Sequence, residues 1–267
     1  MTAVKSRVGR GTWIRQYHQP TGAGPTLLCL PHAGGSATAY VGLSKALSAT
    51  AEVLVVQYPG RQDRIADRPV DDIRELARRI ADALDPWLDR RPVLFGHSMG
   101  SVVAYEVALE LQARTGQGAA GLIASGRAAP SVRQDRGVHL RDDAGLTDEL
   151  AELSGTATAL LTNHELMAAV LPALRSDFRA VETYQGAPGA RVDCPISAYG
   201  GAADPHVSRE DLLKWRDHTT GGFSARWFPG GHFYLQPQQS AVAAAVAQDL
   251  AVFASRGPVG SGGGLSG

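Results

Sequence analysis

The chain has few cysteines, two in 267 residues, and both Cys29 and Cys194 stand in short apolar runs. That excludes a disulfide framework, and no spacing matches a zinc site. The two thiols are expected in the core, as small apolar side chains. Net charge is also missing, because 26 basic residues balance 26 acidic ones. Such a chain has no cationic footprint for nucleic acid or an anionic membrane surface. No apolar run approaches the roughly 18 residues of a membrane span. The basic stretch 1–11 lacks the apolar stretch of a secretory signal. There is no internal repeat. A cytoplasmic enzyme, acting as a monomer, is the expectation.

What the chain does have is a regular alternation of short apolar runs and amphipathic stretches. Strands are predicted at 26–30, 53–58, 92–95, 122–125, 195–199 and 225–228. Helices are predicted at 70–88, 101–111, 209–218 and 241–254. Ile73, Leu76, Ile80, Leu84 and Trp87 share one face of the first helix, and Asp71 and Asp72 suit its first turn. Apolar strands alternating with helices imply an α/β fold with a mainly parallel sheet flanked by helices. The length suits a single domain over 1–256, followed by a Gly/Ser-rich tail at 257–267 that is expected to be disordered.

One segment breaks the alternation. From about 140 to 184 there are helical patterns and no convincing strand. One helix is predicted at 146–153 with Thr147 as N-cap, and another within 164–184, kinked or split at Pro172. The segment reads as a helical lid over the strand ends, the alternative being a plain pair of crossover helices. Leu160, Leu161, Leu166, Met167, Val170, Leu171 and Leu174 recur at near-helical spacing. Some of them are expected to pack on the sheet domain and the rest, Met167 among them, to line an apolar substrate channel.

Chemistry enters at Gly96-His97-Ser98-Met99-Gly100, between the strand at 92–95 and the helix from 101. A G-x-S-x-G in that context is the nucleophile elbow of an α/β-hydrolase. Ser98 would sit at a helix N-terminus, where backbone N–H groups favour developing negative charge. A serine nucleophile needs a base, and the base needs an orienting acid, in the chain order Ser, acid, His. Among eight histidines, His232 alone follows the last strand directly, in Pro229-Gly230-Gly231-His232-Phe233. Asp204 follows the strand at 195–199, at the sheet edge where such sites are built. Asp193 is its rival, but precedes that strand and should lie at the opposite edge. The oxyanion hole needs a donor from the residue after the serine, Met99, and one from an earlier loop. Ala33 in Pro31-His32-Ala33-Gly34-Gly35-Ser36 is the natural choice. Arg61, Arg64 and Arg127 lie in loops expected on the same side, either to meet an acidic or phosphate-bearing partner or to brace the loops through ion pairs.

Taken in order, several motifs occur together. They are Leu30-Pro31-His32-Ala33-Gly34-Gly35-Ser36, Gln57-Tyr58-Pro59-Gly60-Arg61-Gln62-Asp63-Arg64, the elbow, Ser125-Gly126-Arg127-Ala128-Ala129-Pro130, Gly200 with Asp204, and Gly230-Gly231-His232-Phe233. The set resembles the type II (external, editing) thioesterases of polyketide and nonribosomal peptide synthesis, from about Trp13 to about Phe253. Gln62 stands where the family commonly has Gly, and Ala128 where it has a second basic residue. The resemblance implies an α/β-hydrolase fold with a helical lid, and a triad of Ser98, Asp204 and His232 with Ala33 and Met99 as the oxyanion hole. It implies hydrolysis of acyl groups from the phosphopantetheine arm of an acyl carrier protein or peptidyl carrier protein, with no metal or organic cofactor. No carrier-like segment precedes the fold, so action in trans is expected. The competing readings are a product-releasing thioesterase, a general esterase for free small esters, and a catalytically idle scaffold.

Overall fold

The structure is a computed structural model and describes residues 7–8, 13–154 and 164–255. Its sheet contains β1 (Arg7–Val8), β2 (Ile14–Gln16), β3 (Thr26–Leu30), β4 (Glu52–Val56), β5 (Val93–His97), β6 (Gly121–Ser125), β7 (Ile196–Gly201) and β8 (Phe223–Phe228). Their spatial order is β1-β2-β4-β3-β5-β6-β7-β8. From β4 across to β8 every neighbouring pair is parallel, while β1 and β2 add an antiparallel edge. The helices are α1 (Val41–Leu47), α2 (Ile73–Ala83), α3 (Met99–Thr115), α4 (Asp143–Ser154), α5 (His164–Thr183), α6 (Arg209–Leu213) and α7 (Gln239–Ser255).

Strand alternation divides the interior into two cores. Leu28, Leu30, Leu54, Val56 and Leu94 point to the face covered by α2 and α3. Leu27, Cys29, Val53, Val55, Val93 and Phe95 point to the face covered by α1 and α7. Successive side chains on a strand face opposite ways, so a strand buried on both faces must be apolar throughout. Both cysteines are free and buried, as expected. Helix α2 carries its buried Ile73, Leu76, Ala77 and Ile80 on one stripe. Asp72 caps it, accepting the Glu75 N–H at 2.8 Å. Helix α3 is buried on most of its circumference, in keeping with its apolar sequence.

The described parts of the interruption at 140–184 are helical, as expected, but differ in detail. Thr147 is not an N-cap. It lies inside α4, its hydroxyl returned to the Asp143 carbonyl at 2.7 Å, while Asp142 accepts the Gly145 N–H at 2.8 Å at the helix start. Pro172 does not split α5, which continues through it. Proline removes one N–H and leaves the carbonyl four residues earlier without that bond. Here that residue is Ala168, which is exposed, so water can take the carbonyl, and buried Leu171 and Leu174 hold the helix on either side. The predicted helix at 70–88 ends early, at Ala83, and gives way to a 3-10 turn over Asp85–Arg90. Helix α1 and strand β2 have no counterpart in the sequence reading. Leu160, Leu161 and the tail at 257–267 lie outside the described residues. No helix among the described residues is long and apolar enough to cross a membrane.

In the sheet order, β4 lies on one side of β3 and β5 on the other. The chain therefore reverses its direction of travel at β3. Loops leaving adjacent strands at such a point diverge and open a crevice at the carboxyl edge. The loops after β3 and β5 carry Ala33 and Ser98.

Candidate active site

Ser98 has φ 54° and ψ −119°, a backbone conformation that non-glycine residues rarely adopt. The neighbouring glycines make it possible. A Cβ on Gly96 would collide with the Gly100 carbonyl, and a Cβ on Gly100 with the Leu30 carbonyl. Hydrogen bonds hold the turn. Ser98 N–H donates to the Ser125 carbonyl at 2.8 Å. Ser101 Oγ is 2.9 Å from the carbonyls of both Gly96 and Ser125. Met99 follows as the first residue of α3, where backbone N–H groups have no partner within the helix.

Asp204 and His232 lie on separate loops, after β7 and β8, that are tied to each other. Ala202 N–H donates to the Phe228 carbonyl at 2.8 Å and Ala203 N–H to the Gly230 carbonyl at 2.9 Å. His232 Nδ1 consequently donates to Asp204 Oδ2 at 2.8 Å, with side chains only 6% and 1% exposed. The other carboxylate oxygen accepts the His206 N–H at 2.9 Å. With Nδ1 committed to the acid, Nε2 is the nitrogen left to serve a serine. Ser98, Ala33, His32 and His232 line one cleft. Asp193 is at the far edge, its N–H held by Gln112 near the end of α3.

Three further histidines surround His232. The ring centroids of His97 and His206 lie 5.2 and 5.8 Å from it, and His32 lies 6.1 Å from His97. Burial, together with the neighbouring His232 and Arg61, holds the His32 imidazole down at about 4. Burial, His232 and His32 push His97 well below the usual range. Burial and Arg136 lower His206. Near neutral pH these rings are therefore uncharged. A chain of hydrogen bonds invisible in the sequence runs beneath them, from Tyr234 OH to Ser125 Oγ at 2.6 Å and on to His97 Nδ1 at 2.9 Å.

The cleft is less apolar than expected. Val138, Phe178, Val181 and Val207 share its wall with Arg127, Arg136, Glu149, Glu182 and His206. Glu149 is gripped by Arg136 and Arg141, and Glu182 takes the N–H groups of Val138 and His139. Buried carboxylates thus fasten α4 and α5 to the loop before them. Arg61 and Arg64 are buried and internally paired, with Asp177 and Asp67. They brace the loops and do not reach outward. Arg127 lies in the cleft wall, where it donates to the Val181 carbonyl at 3.3 Å and burial pushes its guanidinium down to about 10.

Met167 does not line the cleft that holds Ser98. It belongs to a small core that runs along α5 through Leu171 and Leu174 to Phe178 at the far end, with Val138, Leu146 and Leu150 against them, and it borders a separate cleft between α4 and α5. The reason is helix length. Eleven residues separate it from Phe178, which does reach the Ser98 cleft, and at 1.5 Å per residue that is roughly 16 Å along the axis. Met167→Trp is accordingly expected to overfill the small core at about 1–3 kcal/mol. For a domain of this size that lowers the thermal midpoint by roughly 2–10 °C. The ranking of short and long acyl substrates should stay flat. A changed ranking at an unaltered midpoint would return Met167 to the substrate channel.

A mainly parallel sheet, a strained serine between strand and helix, and an Asp–His pair on the last two strand loops define an α/β-hydrolase. The chain belongs to the thioesterase family, whose domain profile matches residues 25–250, and it is a thioester hydrolase. Among curated proteins it is 45% identical over 239 residues to the thioesterase PikA5 of Streptomyces venezuelae, covering 89% of this chain and 85% of that protein. Among solved structures it is similar to the type II thioesterase BorB from the borrelidin biosynthetic cluster, with 44% identity and a TM-score of 0.83 over 89% of this chain and 97% of that one. It is also similar to the RedJ thioesterase from the prodiginine pathway in Streptomyces coelicolor, with 36% identity and a TM-score of 0.79 over 86% and 90%.

Proposed function

We propose that this chain is a type II thioesterase that hydrolyses stalled or aberrant acyl groups from the phosphopantetheine arm of an acyl or peptidyl carrier protein in polyketide or nonribosomal peptide synthesis. The observation that carries the mechanism is the 2.8 Å contact between His232 Nδ1 and Asp204, on the wall of the cleft that holds Ser98. Ser98 Oγ attacks the thioester carbonyl while His232 Nε2 takes its proton. The oxyanion is held by the N–H groups of Ala33 and Met99. Collapse expels the arm's thiolate, which takes the proton from His232. Water, deprotonated by the same ring, then attacks the acyl-serine, and Ser98 leaves with the proton returned. Asp204 keeps the ring in the required tautomer and stabilises its charged form. Every step is a proton or acyl transfer among these groups and water, so no cofactor enters it. We read the enzyme as a cytoplasmic monomer acting in trans, its partner being the carrier and neither nucleic acid nor a membrane.

Remote contacts with carrier and arm should lower the barrier as well as aid binding. The same acyl group is therefore expected to turn over with a higher kcat/KM on a carrier protein than on N-acetylcysteamine. Equal values would remove the carrier from the reading and favour an esterase for small free substrates.

A further inference from the structure

We infer that Asp177, on α5, is a positioning residue for the oxyanion loop, which makes this helix a fixed part of the catalytic apparatus instead of a movable cover. The inference rests on the reading of Ala33 N–H as an oxyanion donor. The loop is built as a tight turn. Gly35 N–H closes it on the His32 carbonyl at 2.9 Å, which puts Ala33 at the first corner with its own N–H not spent in the closure. The next amide is clamped from outside the loop, where Gly34 N–H donates to Asp177 Oδ2 at 2.7 Å. Fixing that peptide plane fixes the orientation of Ala33 beside it.

The clamp is itself held rigidly. Arg61 meets Asp177 with both ends of its fork, at 2.7 and 2.9 Å, and the two side chains are only 6% and 2% exposed. The same guanidinium donates to the Gly35 carbonyl at 3.0 Å and the Pro59 carbonyl at 3.2 Å. Gln57 links the Arg61 carbonyl to the Ala37 N–H, at 3.2 and 2.9 Å. The loop is thus gripped at Gly34, Gly35 and Ala37. One turn earlier on α5, fully buried Leu174 fills the space where Gly34 would carry a Cβ. Phe178, the residue after Asp177, and Val181 and Glu182, about one turn later, enter the wall of the Ser98 cleft.

A charged pair buried this deeply is a poor source of stability, because desolvation offsets most of the attraction. Its rigid, bidentate geometry suits another use. Oxyanion donors act by being aimed before the charge develops, and a charge-assisted hydrogen bond on the adjacent amide resists rotation of the loop. Any shift of α5 would move the clamp off Gly34.

The test must separate position from folding. Asp177→Asn alone strands the Arg61 cation in the interior and threatens the fold. Two double variants avoid this. Arg61→Met with Asp177→Leu removes both charges and the acceptor, and Arg61→Met with Asp177→Asn removes both charges but keeps an oxygen for Gly34 N–H. The Leu version is expected to stay folded, with kcat lower by about 10–10³-fold, the range bounded by loss of one oxyanion donor. KM on an acyl-N-acetylcysteamine should move little, since the lost interaction belongs to the transition state. Affinity for a trifluoromethyl ketone analogue should fall in parallel. The Asn version should recover at least about tenfold of the rate, as expected if the acceptor is what matters. Wild-type kcat in both, or a loss that follows the thermal midpoint with analogue affinity intact, would overturn the clamp. Ser98→Ala is measured alongside. If it is inert while the Leu version is fully active, only the clamp is wrong. If it remains active, the serine reading fails and the clamp with it.

Discussion

Replacing Ser98 with alanine is expected to leave a folded protein whose thioester turnover has fallen by about 10⁴-fold or more. The size of the effect follows from the elbow. The turn exists through its glycines and through the hydrogen bonds of the Ser98 backbone and the Ser101 hydroxyl, none of which uses Ser98 Oγ. Alanine at φ 54° keeps much the same backbone strain as serine. The substitution therefore removes the nucleophile and little else. Thermal midpoint and kcat/KM on one acyl-carrier substrate, measured together, check it. Turnover within tenfold of wild type at an unchanged midpoint would show that Ser98 is not the nucleophile.

Asp204→Asn should be nearly as damaging, by about 10⁴-fold in kcat. Asparagine fills the same space and can still accept the His206 N–H. It cannot hold the ring with Nδ1 protonated and Nε2 free to take a proton with the strength of an anion, nor can it stabilise the imidazolium. The structure supplies a matched control in Asp193, which sits beside Gln112 at the opposite edge of the sheet. Asp193→Asn is expected to leave the rate unchanged. A severe loss there with a harmless Asp204→Asn would assign the acid to the wrong loop.

What was legible in the sequence is what local chemistry fixes. The strand at Thr26–Leu30 was readable to the residue because Pro31 ends an apolar run. The elbow, Asp204 and His232 were readable because each stands directly after a strand, so chain order alone puts them at one edge. Strand β2 is three residues long, with Ile14 and the charged Arg15 both buried and both paired to β4, so it carries no apolar–polar alternation to detect. Helix α1 spans only seven residues. Met167 lines the cleft between α4 and α5 and not the Ser98 cleft, a distinction the sequence does not carry, because periodicity gives a helix face but not the axial position at which that face meets a cleft. The least legible feature was the polar framework. Asp177 lies 116 positions from Arg61 and 143 from Gly34, and no spacing rule connects them. The same is true of the Tyr234–Ser125–His97 chain. Such pairings emerge only when the sheet order and the packing of α5 are known. In the sequence Arg61 was as consistent with an outward, carrier-facing role as with the internal one it has.

The most direct measurement is intact-mass analysis of an acyl-loaded carrier protein over time, with wild-type enzyme and with Ser98→Ala. The account predicts that the carrier loses the mass of its acyl group, leaving the free phosphopantetheine thiol, with wild type only. An acyl carrier that persists beside active wild-type enzyme, or one that is cleared equally fast by Ser98→Ala, would contradict it.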